Sequence, residues 1–371
     1  MYLAVISVTK ETMPTLQSET SRVMSDREPQ THDSLYLVDG NVVLIAPHPT
    51  GMRTLFRVHQ SILAKSSPIF ATMFTLPAAD GNEMYDGVPL VRMPDGAEEV
   101  ESLLQVLYHE WCPKLLIMFC CIKADRISSI LPVKRLDPST PSSVKQVLTL
   151  ANKYGMETLR ERIVVHIEGD WPQSLWQWDS LEHEIREMAI NCDEDDNLDD
   201  YLPEPASAIR LARDCNIPSI LPSAFYHLSR ISVYHDLHEA RLGGYRETCF
   251  HHDTYDYQRS ADWNLLSSSD YNCLLKGKAR LAVATRELFE LAHPTEPHTI
   301  FCPLSRDVTL LLEIREACRE SSDILEASRQ QMQRKDFGDH VCSNCTRYIR
   351  RELGRFRRAL WLKLPEYFAL T

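Results

Sequence analysis

One segment, TLFRVHQSILAKSSPIFATMF at residues 54–74, limits the fold of this chain more than any other feature. Its apolar residues alternate up to His59 and then follow helical spacing, so a strand passes into a helix at that histidine. Ser67 stands where a helix cap is wanted and Pro68 at the first helical position, which predicts a second helix directly after the first. A strand followed at once by two short helices favours a mixed α+β fold.

The flanking sequence supplies further strands. Residues 42–46 are apolar and largely β-branched, and they follow the turn signal Asp39-Gly40. Residues 48–53 predict the hairpin loop that returns the chain, and residues 88–95 predict a third strand. We therefore expect two or three strands, not an alternating βαβ fold.

Helical periodicity dominates after the third strand. Asp95 followed by Glu98 forms a capping-box pattern, and Gly155 is placed to end a later helix that opens at Ser143. The predicted buried faces are Val100, Leu103, Leu104, Leu107 and Tyr108 in the first helix, Val144, Val147, Leu148 and Ala151 in the second, and Met156, Leu159, Ile163 and Ile167 in the third.

The charges narrow the class of protein. A formal net charge of −12 argues against a general nucleic-acid role, because phosphate binding requires a basic surface. The acidic run at 192–205 is interpreted as a solvated loop. The basic run at 347–358 contains apolar residues at helical spacing, which indicates a docked amphipathic helix with an arginine-rich outer face that includes Arg357.

Two other features concern the compartment. The chain has no secretory signal and no apolar run near the ~18 residues that span a bilayer, which predicts an intracellular protein of the cytoplasm or nucleus without membrane contact. Eleven scattered cysteines then favour reduced thiols or a metal rather than a disulfide scaffold.

Four sequence blocks share a family likeness. VDGNVVLIA, FRVHQSILAKSSPIFATMF, VPLVRMPDGAEEVESLLQVLY and VLTLANKYGMETLRERI have the order and spacing of a BTB/POZ domain. The chain resembles the BTB-domain proteins of fungi, especially basidiomycetes, over residues 33–172. The resemblance implies a small mixed sheet flanked by helices, followed by an all-α C-terminal region. In that family His59 closes a strand and enters the first helix, and we interpret it as a structural histidine held by hydrogen bonds to nearby backbone.

The resemblance also predicts the domain organisation. Residues 1–32 are polar and predicted to be disordered, 33–172 form the BTB/POZ domain, 173–202 an acidic linker, and 203–371 a helical domain. Residues 112–140 depart from the family pattern, in which this connection is short. They are either a true insertion that covers a surface or a translated intron.

The strongest chemical signal lies near the C-terminus. Cys342 and Cys345 have the C-x-x-C spacing with which two thiolates reach one zinc ion. His298 and Cys302 offer a second ligand pair, and Cys318 is a substitute. The predicted cofactor is a structural zinc on His298, Cys302, Cys342 and Cys345. The alternative is a pair of reduced cysteines at a helix start.

No local catalytic motif is present, so the expected function is a non-enzymatic protein–protein interaction module. The resemblance implies a homodimer or scaffold, or a substrate adaptor that binds a cullin in a RING ubiquitin ligase. Phe74, Leu76 and Pro77 are the predicted partner contact, although Phe74 fits core packing as well. The alternatives are a BTB-type transcriptional regulator associated with DNA or chromatin, and an enzyme built from dispersed residues such as His235 and His251.

Overall fold

The computed structural model describes residues 28–76, 83–111, 134–191, 198–238, 259–288, 302, 308–335 and 341–370. These residues form a five-stranded sheet near the N-terminus and a mostly helical C-terminal region. The predicted α+β class is therefore confirmed. Two compact units divide the chain: the first consists of Met1–Ser61 and Leu76–Leu104, and the second of Ile62–Thr75 and Gln105–Thr371.

The sheet lies in the first unit and mixes parallel with antiparallel pairs. Its strands are β1 (Gln30–Tyr36), β2 (Val42–Pro47), β3 (Arg53–Val58), β4 (Met84–Tyr85) and β5 (Val88–Arg92). Their order is β1-β3-β2-β5-β4, with β2 antiparallel to β3 and parallel to β5. The sheet core includes Val43, Ile45 and Leu55, on strands whose side chains alternate between its two faces.

Two strands go beyond the sequence prediction. β1 begins at Gln30, inside the segment predicted to be disordered, because it pairs in parallel with β3 through Gln30–Thr54 and Thr31–Leu55. β4 has only two residues and pairs with β5. Most residues of both strands are exposed or only partly buried, so their sequences lack a clear alternation of apolar and polar residues. That alternation is the signal by which a strand is predicted from sequence.

Helices make up most of the second unit, and two of them extend across its bounds. They are α1 (Gln60–Ser66), α2 (Pro68–Thr75), α3 (Ala97–Trp111), α4 (Thr140–Lys153), α5 (Glu157–Asp170), α6 (Leu175–Asn191), α7 (Pro205–Asp214), α8 (Leu221–Arg230), α9 (Ser268–Glu287), α10 (Thr309–Glu320), α11 (Ile324–Gln333) and α12 (Ser343–Tyr367). Short 3₁₀ turns occur at Leu198–Asp200, Pro218–Ile220 and Trp263–Leu265.

The predicted helix boundaries hold at Ser67 and Gly155, whereas α4 begins at Thr140, three residues before the predicted Ser143. The Ser67 hydroxyl accepts a hydrogen bond from the Phe70 amide at 3.1 Å and donates one to the Tyr154 carbonyl at 2.6 Å. Gly155 ends α4 with φ of +63°, a conformation that a side chain disfavours. At α3 the capping pair lies one residue later than predicted. The Gly96 amide donates a hydrogen bond to the Glu99 carboxylate, whereas the prediction named Asp95 and Glu98.

The segment predicted as an acidic linker contains regular structure. Residues 175–191 form α6, with Trp178 and Leu181 buried. The acidic run is also not a solvated loop throughout. Asp199 is 4% exposed and accepts hydrogen bonds from Arg259 and Ser260, while Glu204 caps α7. A carboxylate is stable at such burial when donors satisfy it, and composition does not reveal those donors.

The C-terminal helix is amphipathic, as predicted, with one exception. Tyr348, Leu353 and Leu360 are buried, whereas neighbouring arginines are exposed. Arg357, predicted on the outer face, is instead 6% exposed and pairs with Asp179 of α6 at 2.5 Å. Among the described helices, none combines the length and the apolar character that a membrane crossing needs.

Candidate metal centre

Three cysteines of the second unit meet at one point. The Sγ atoms of Cys302, Cys342 and Cys345 all lie within 4.8 Å of one another. Cys345 Sγ is 3.6 Å from Cys302 Sγ and 3.4 Å from Cys342 Sγ. This group of three thiols, hereafter the three-cysteine cluster, can bind a metal ion.

The start of α12 positions two of the thiols. Cys342 is the cap residue, with extended backbone, and its carbonyl accepts the first helical hydrogen bond from Thr346 at 3.0 Å. Cys345 lies in the first turn, three residues on, so both side chains share one side of the helix start. The partial positive charge at a helix N-terminus favours the thiolate form that metals require.

The sulfur separations match the demands of a tetrahedral ion. Zinc–sulfur bonds of about 2.3 Å place two sulfurs of a tetrahedral site about 3.8 Å apart. The observed 3.4 and 3.6 Å differ from that value by only a few tenths of an ångström. A disulfide would need sulfurs about 2.05 Å apart, so neither of these two sulfur pairs is joined by a disulfide.

Burial governs the protonation of the cluster. Cys345 is fully buried, and desolvation, followed by the neighbouring sulfurs of Cys342 and Cys302, raises the pKa of its thiol above the ordinary range. Without a metal, the thiol is therefore neutral at physiological pH. A bound cation would reverse that preference, because a coordinating thiol is deprotonated by the charge of the ion.

The surroundings of the cluster are apolar. Its core includes Ile314 and Ile349, both 0% exposed, together with Leu353. Cys318 belongs to the same core, but its sulfur is not part of the three-cysteine cluster. Burial alone raises the pKa of Cys318 to about 12. This thiol behaves as a packed apolar side chain.

The remaining predicted ligand, His298, lies outside the described residues. The structure thus brings together three of the four predicted ligands, and Cys318 is not one of them. Sequence spacing identified the C-x-x-C pair and the distant Cys302 correctly as neighbours. The prediction left Cys318 as a substitute ligand, and the structure decides in favour of Cys302.

No protein-family model, no curated protein and no solved structure matches this chain. The structure alone therefore supports the assignment of the cluster. Among the described residues, this is the one group of three or more histidine, cysteine or acidic side chains whose ligand atoms lie close enough to share an ion.

Two of the predicted partner residues, Phe74 and Leu76, lie at the end of α2. Leu76 is 64% exposed, and Phe74 is partly buried with its ring stacked on Phe70 at a centroid distance of 6.0 Å. Pro77 lies outside the described residues. Leu76 is thus available at the surface, whereas Phe74 combines packing with partial exposure.

His59 pairs with a carboxylate. Its Nε2 lies 3.3 Å from the Asp39 carboxylate, across the turn between β1 and β2. The pair connects the end of β3 to that turn, but the Asp39 side chain is 83% exposed, so this contact contributes little to stability. A carboxylate partner was not part of the prediction, which named only backbone groups.

Proposed function

We propose that this chain is a protein–protein interaction module of the BTB/POZ kind without enzymatic activity. One observation supports the proposal above the others: each sequence block that carries the resemblance folds into the expected elements. The blocks form β2, then β3 with α1 and α2, then β5 with α3, and last α4 with α5. These elements and a mixed sheet are what the resemblance implies.

The proposed module forms a homodimer or scaffold, with a cullin as a candidate partner, in the cytoplasm or nucleus. A stable interface buries about 1,200–2,000 Å² in total, and exposed apolar side chains contribute most to it. Leu76, at 64% exposure, supports placing a partner at the end of α2.

Light scattering on the purified chain tests the proposal. A dimer has twice the 42.7 kDa mass of one chain, and a cullin N-terminal domain would add its own mass in stoichiometric amount. Leu76→Asp is expected to weaken the partner complex at least tenfold, while Val165→Asp, at a comparably exposed position on α5, leaves it unchanged. A monomer that also ignores the cullin would contradict the proposal.

A DNA-associated regulator is the second candidate, because α12 exposes a row of cations. They are Arg347, Arg350, Arg351, Arg355, Arg358 and Lys363. This candidate predicts retention on DNA that weakens as salt rises and is lost in the double variant Arg350→Glu and Arg351→Glu. The interaction module predicts no such retention, and a net charge of −12 favours the module.

The proposed cofactor is zinc, held by the three-cysteine cluster with His298 as the predicted fourth ligand. Soft thiolate ligands prefer zinc over magnesium or calcium, which take oxygen ligands. Three thiols against an apolar core, two of them buried and one partly buried, fit a structural ion rather than a reactive one.

A further inference from the structure

The three-cysteine cluster has a role beyond holding an ion. We propose that metal binding there is linked to folding: a soft divalent cation clamps Cys302 to the start of α12 and thereby stabilises the core formed by α10, α11 and α12. This inference rests on the proposed zinc site, but it concerns stability, which can fail separately from binding.

The clamp joins parts of the chain that are far apart in sequence. Cys302 and Cys345 are 43 residues apart, yet their sulfurs lie 3.6 Å from each other. Closing a loop of this length costs conformational entropy. Contacts between neutral thiols offset that cost only weakly. Coordinate bonds to one ion would hold both segments together, so the free energy of metal binding adds to the free energy of folding.

The clamped segments carry the core of this region. Cys302, Ile314 and Cys345 are each at most 4% exposed and share one apolar core with Leu353. α12 packs along α11, and the Arg350 guanidinium donates to the Met332 carbonyl at 3.1 Å. Fixing the first turn of α12 therefore also restrains the helices that pack on it.

The burial of the three ligands is uneven. Cys345 and Cys302 are buried, whereas Cys342 is only partly buried. Cys342 is thus the most exposed of the three ligands, and the other two belong to the apolar core.

The experiment uses the full chain, purified under reducing conditions with zinc in the medium. Elemental analysis is expected to find one zinc per chain. Removing the metal with a chelator should lower the midpoint of thermal unfolding by about 5–10 °C, and added zinc should restore it. Zinc at stoichiometry without any effect on the midpoint would overturn the clamp while leaving the zinc site standing. Absence of zinc would overturn both.

Four serine variants locate the clamp. Cys302→Ser, Cys342→Ser and Cys345→Ser are expected to lose zinc and to lose the response of the unfolding midpoint to chelator. Cys318→Ser is the matched control, because Cys318 is equally buried in the same core but outside the cluster. Cys318→Ser should keep both the bound zinc and the response of the unfolding midpoint to chelator. Loss of zinc in Cys318→Ser alone would overturn the assigned ligand set.

Cobalt substitution keeps the test decisive if a serine variant fails to fold. Cobalt(II) added to the metal-free wild-type chain should produce the near-ultraviolet absorption of thiolate-to-cobalt charge transfer, with an intensity that reports three thiolates. The absorption should appear with one equivalent of cobalt, and zinc should displace it. A spectrum without thiolate bands would overturn the site.

Discussion

At the scale of single residues, a glycine in the middle of α9 admits an aromatic ring. A Cβ atom at Gly277 would overlap the ring of Phe368, which is fully buried and stacks on Phe225 at 5.6 Å. The ring cannot retreat without disturbing that stack. Close packing against Phe368 therefore explains the glycine at position 277, because the φ angle there is not positive and does not require a glycine.

The substitution Gly277→Ala tests this close approach. Alanine favours helices over glycine by about 1 kcal/mol, but overpacking a core costs about 1–3 kcal/mol. Because the overlap is with an enclosed ring, we expect a net loss of about 2 kcal/mol in the free energy of urea unfolding.

The control for this prediction is Gly169→Ala in α5. No atom lies within 4 Å of a Cβ placed there, so the helix propensity acts alone and the variant should be more stable by about 0.5–1 kcal/mol. If Gly277→Ala and Gly169→Ala changed the free energy of unfolding equally, the ring of Phe368 would have moved to make room for the added methyl group, which would contradict the prediction.

At the scale of elements, one arginine joins three helices. Arg357 of α12 donates from Nε to the Leu325 carbonyl of α11 at 3.1 Å. Its two terminal nitrogens contact the Asp179 carboxylate of α6 at 2.5 and 3.1 Å. The planar guanidinium suits this arrangement, because its donors are fixed in a fork that matches a carboxylate.

Replacing Arg357 by Met tests the hydrogen bonds of the guanidinium separately from the packing of the side chain. Methionine retains much of the apolar bulk but leaves the Leu325 carbonyl and the Asp179 carboxylate without this donor. We expect a loss of about 1–3 kcal/mol in unfolding free energy, because the buried Leu325 carbonyl loses its donor, while water can partly solvate the Asp179 carboxylate, whose side chain is 31% exposed. Arg358→Met, at the next and exposed position, should change it by less than about 0.5 kcal/mol. A small effect at both positions would show that water replaces the lost donors.

At the scale of the whole molecule, a buried acid links stability to pH. Asp170 is 3% exposed and accepts a hydrogen bond from the Leu136 amide at 2.8 Å. Desolvation outweighs that bond and raises the pKa of Asp170 to about 6. The unfolded chain has an aspartate pKa near 3.9. The folded state therefore holds this proton more tightly, and its stability falls as pH rises from about 4 to about 6.

The substitution Asp170→Asn should remove this pH dependence. Below pH 4 the wild-type carboxyl is neutral in both states, so variant and wild type should unfold with similar free energies. Above pH 6 the wild type carries the buried charge, and the variant should be more stable by an amount on the order of 2–3 kcal/mol. Urea unfolding from pH 4 to 8 measures this difference. Asp200→Asn, at an exposed position, is the control, and a difference that does not vary with pH would contradict the prediction.

Particular residues show how far the sequence predicts the structure. Ser67, Pro68 and Gly155 act locally, through a cap, a fixed φ and a positive φ, and each boundary was predicted correctly. Asp199 and Arg357 were predicted to be solvated and are buried, because their partners Arg259 and Asp179 come from distant segments. No local pattern reports such a partner.

The candidate site shows the same limit. The C-x-x-C spacing of Cys342 and Cys345 predicts a shared ligand position, because three residues are less than one helical turn. The choice of Cys302 over Cys318 as the third thiol depends on how α10 and α12 pack. Both cysteines are buried, and only the fold shows which sulfur reaches the pair.

The sequence by itself therefore determined the mixed α+β class, the strand-to-helix transition at His59, the helix boundaries at Ser67, Pro68 and Gly155, and the cysteine pair. These features follow from periodicity, capping and spacing, which act over a few residues. The tertiary structure alone decided the pairing of β1 with β3, the burial of Asp199, Glu204 and Arg357, and the choice of Cys302 over Cys318 in the three-cysteine cluster. These features depend on contacts between distant segments, whose free energies exist only once the chain has folded.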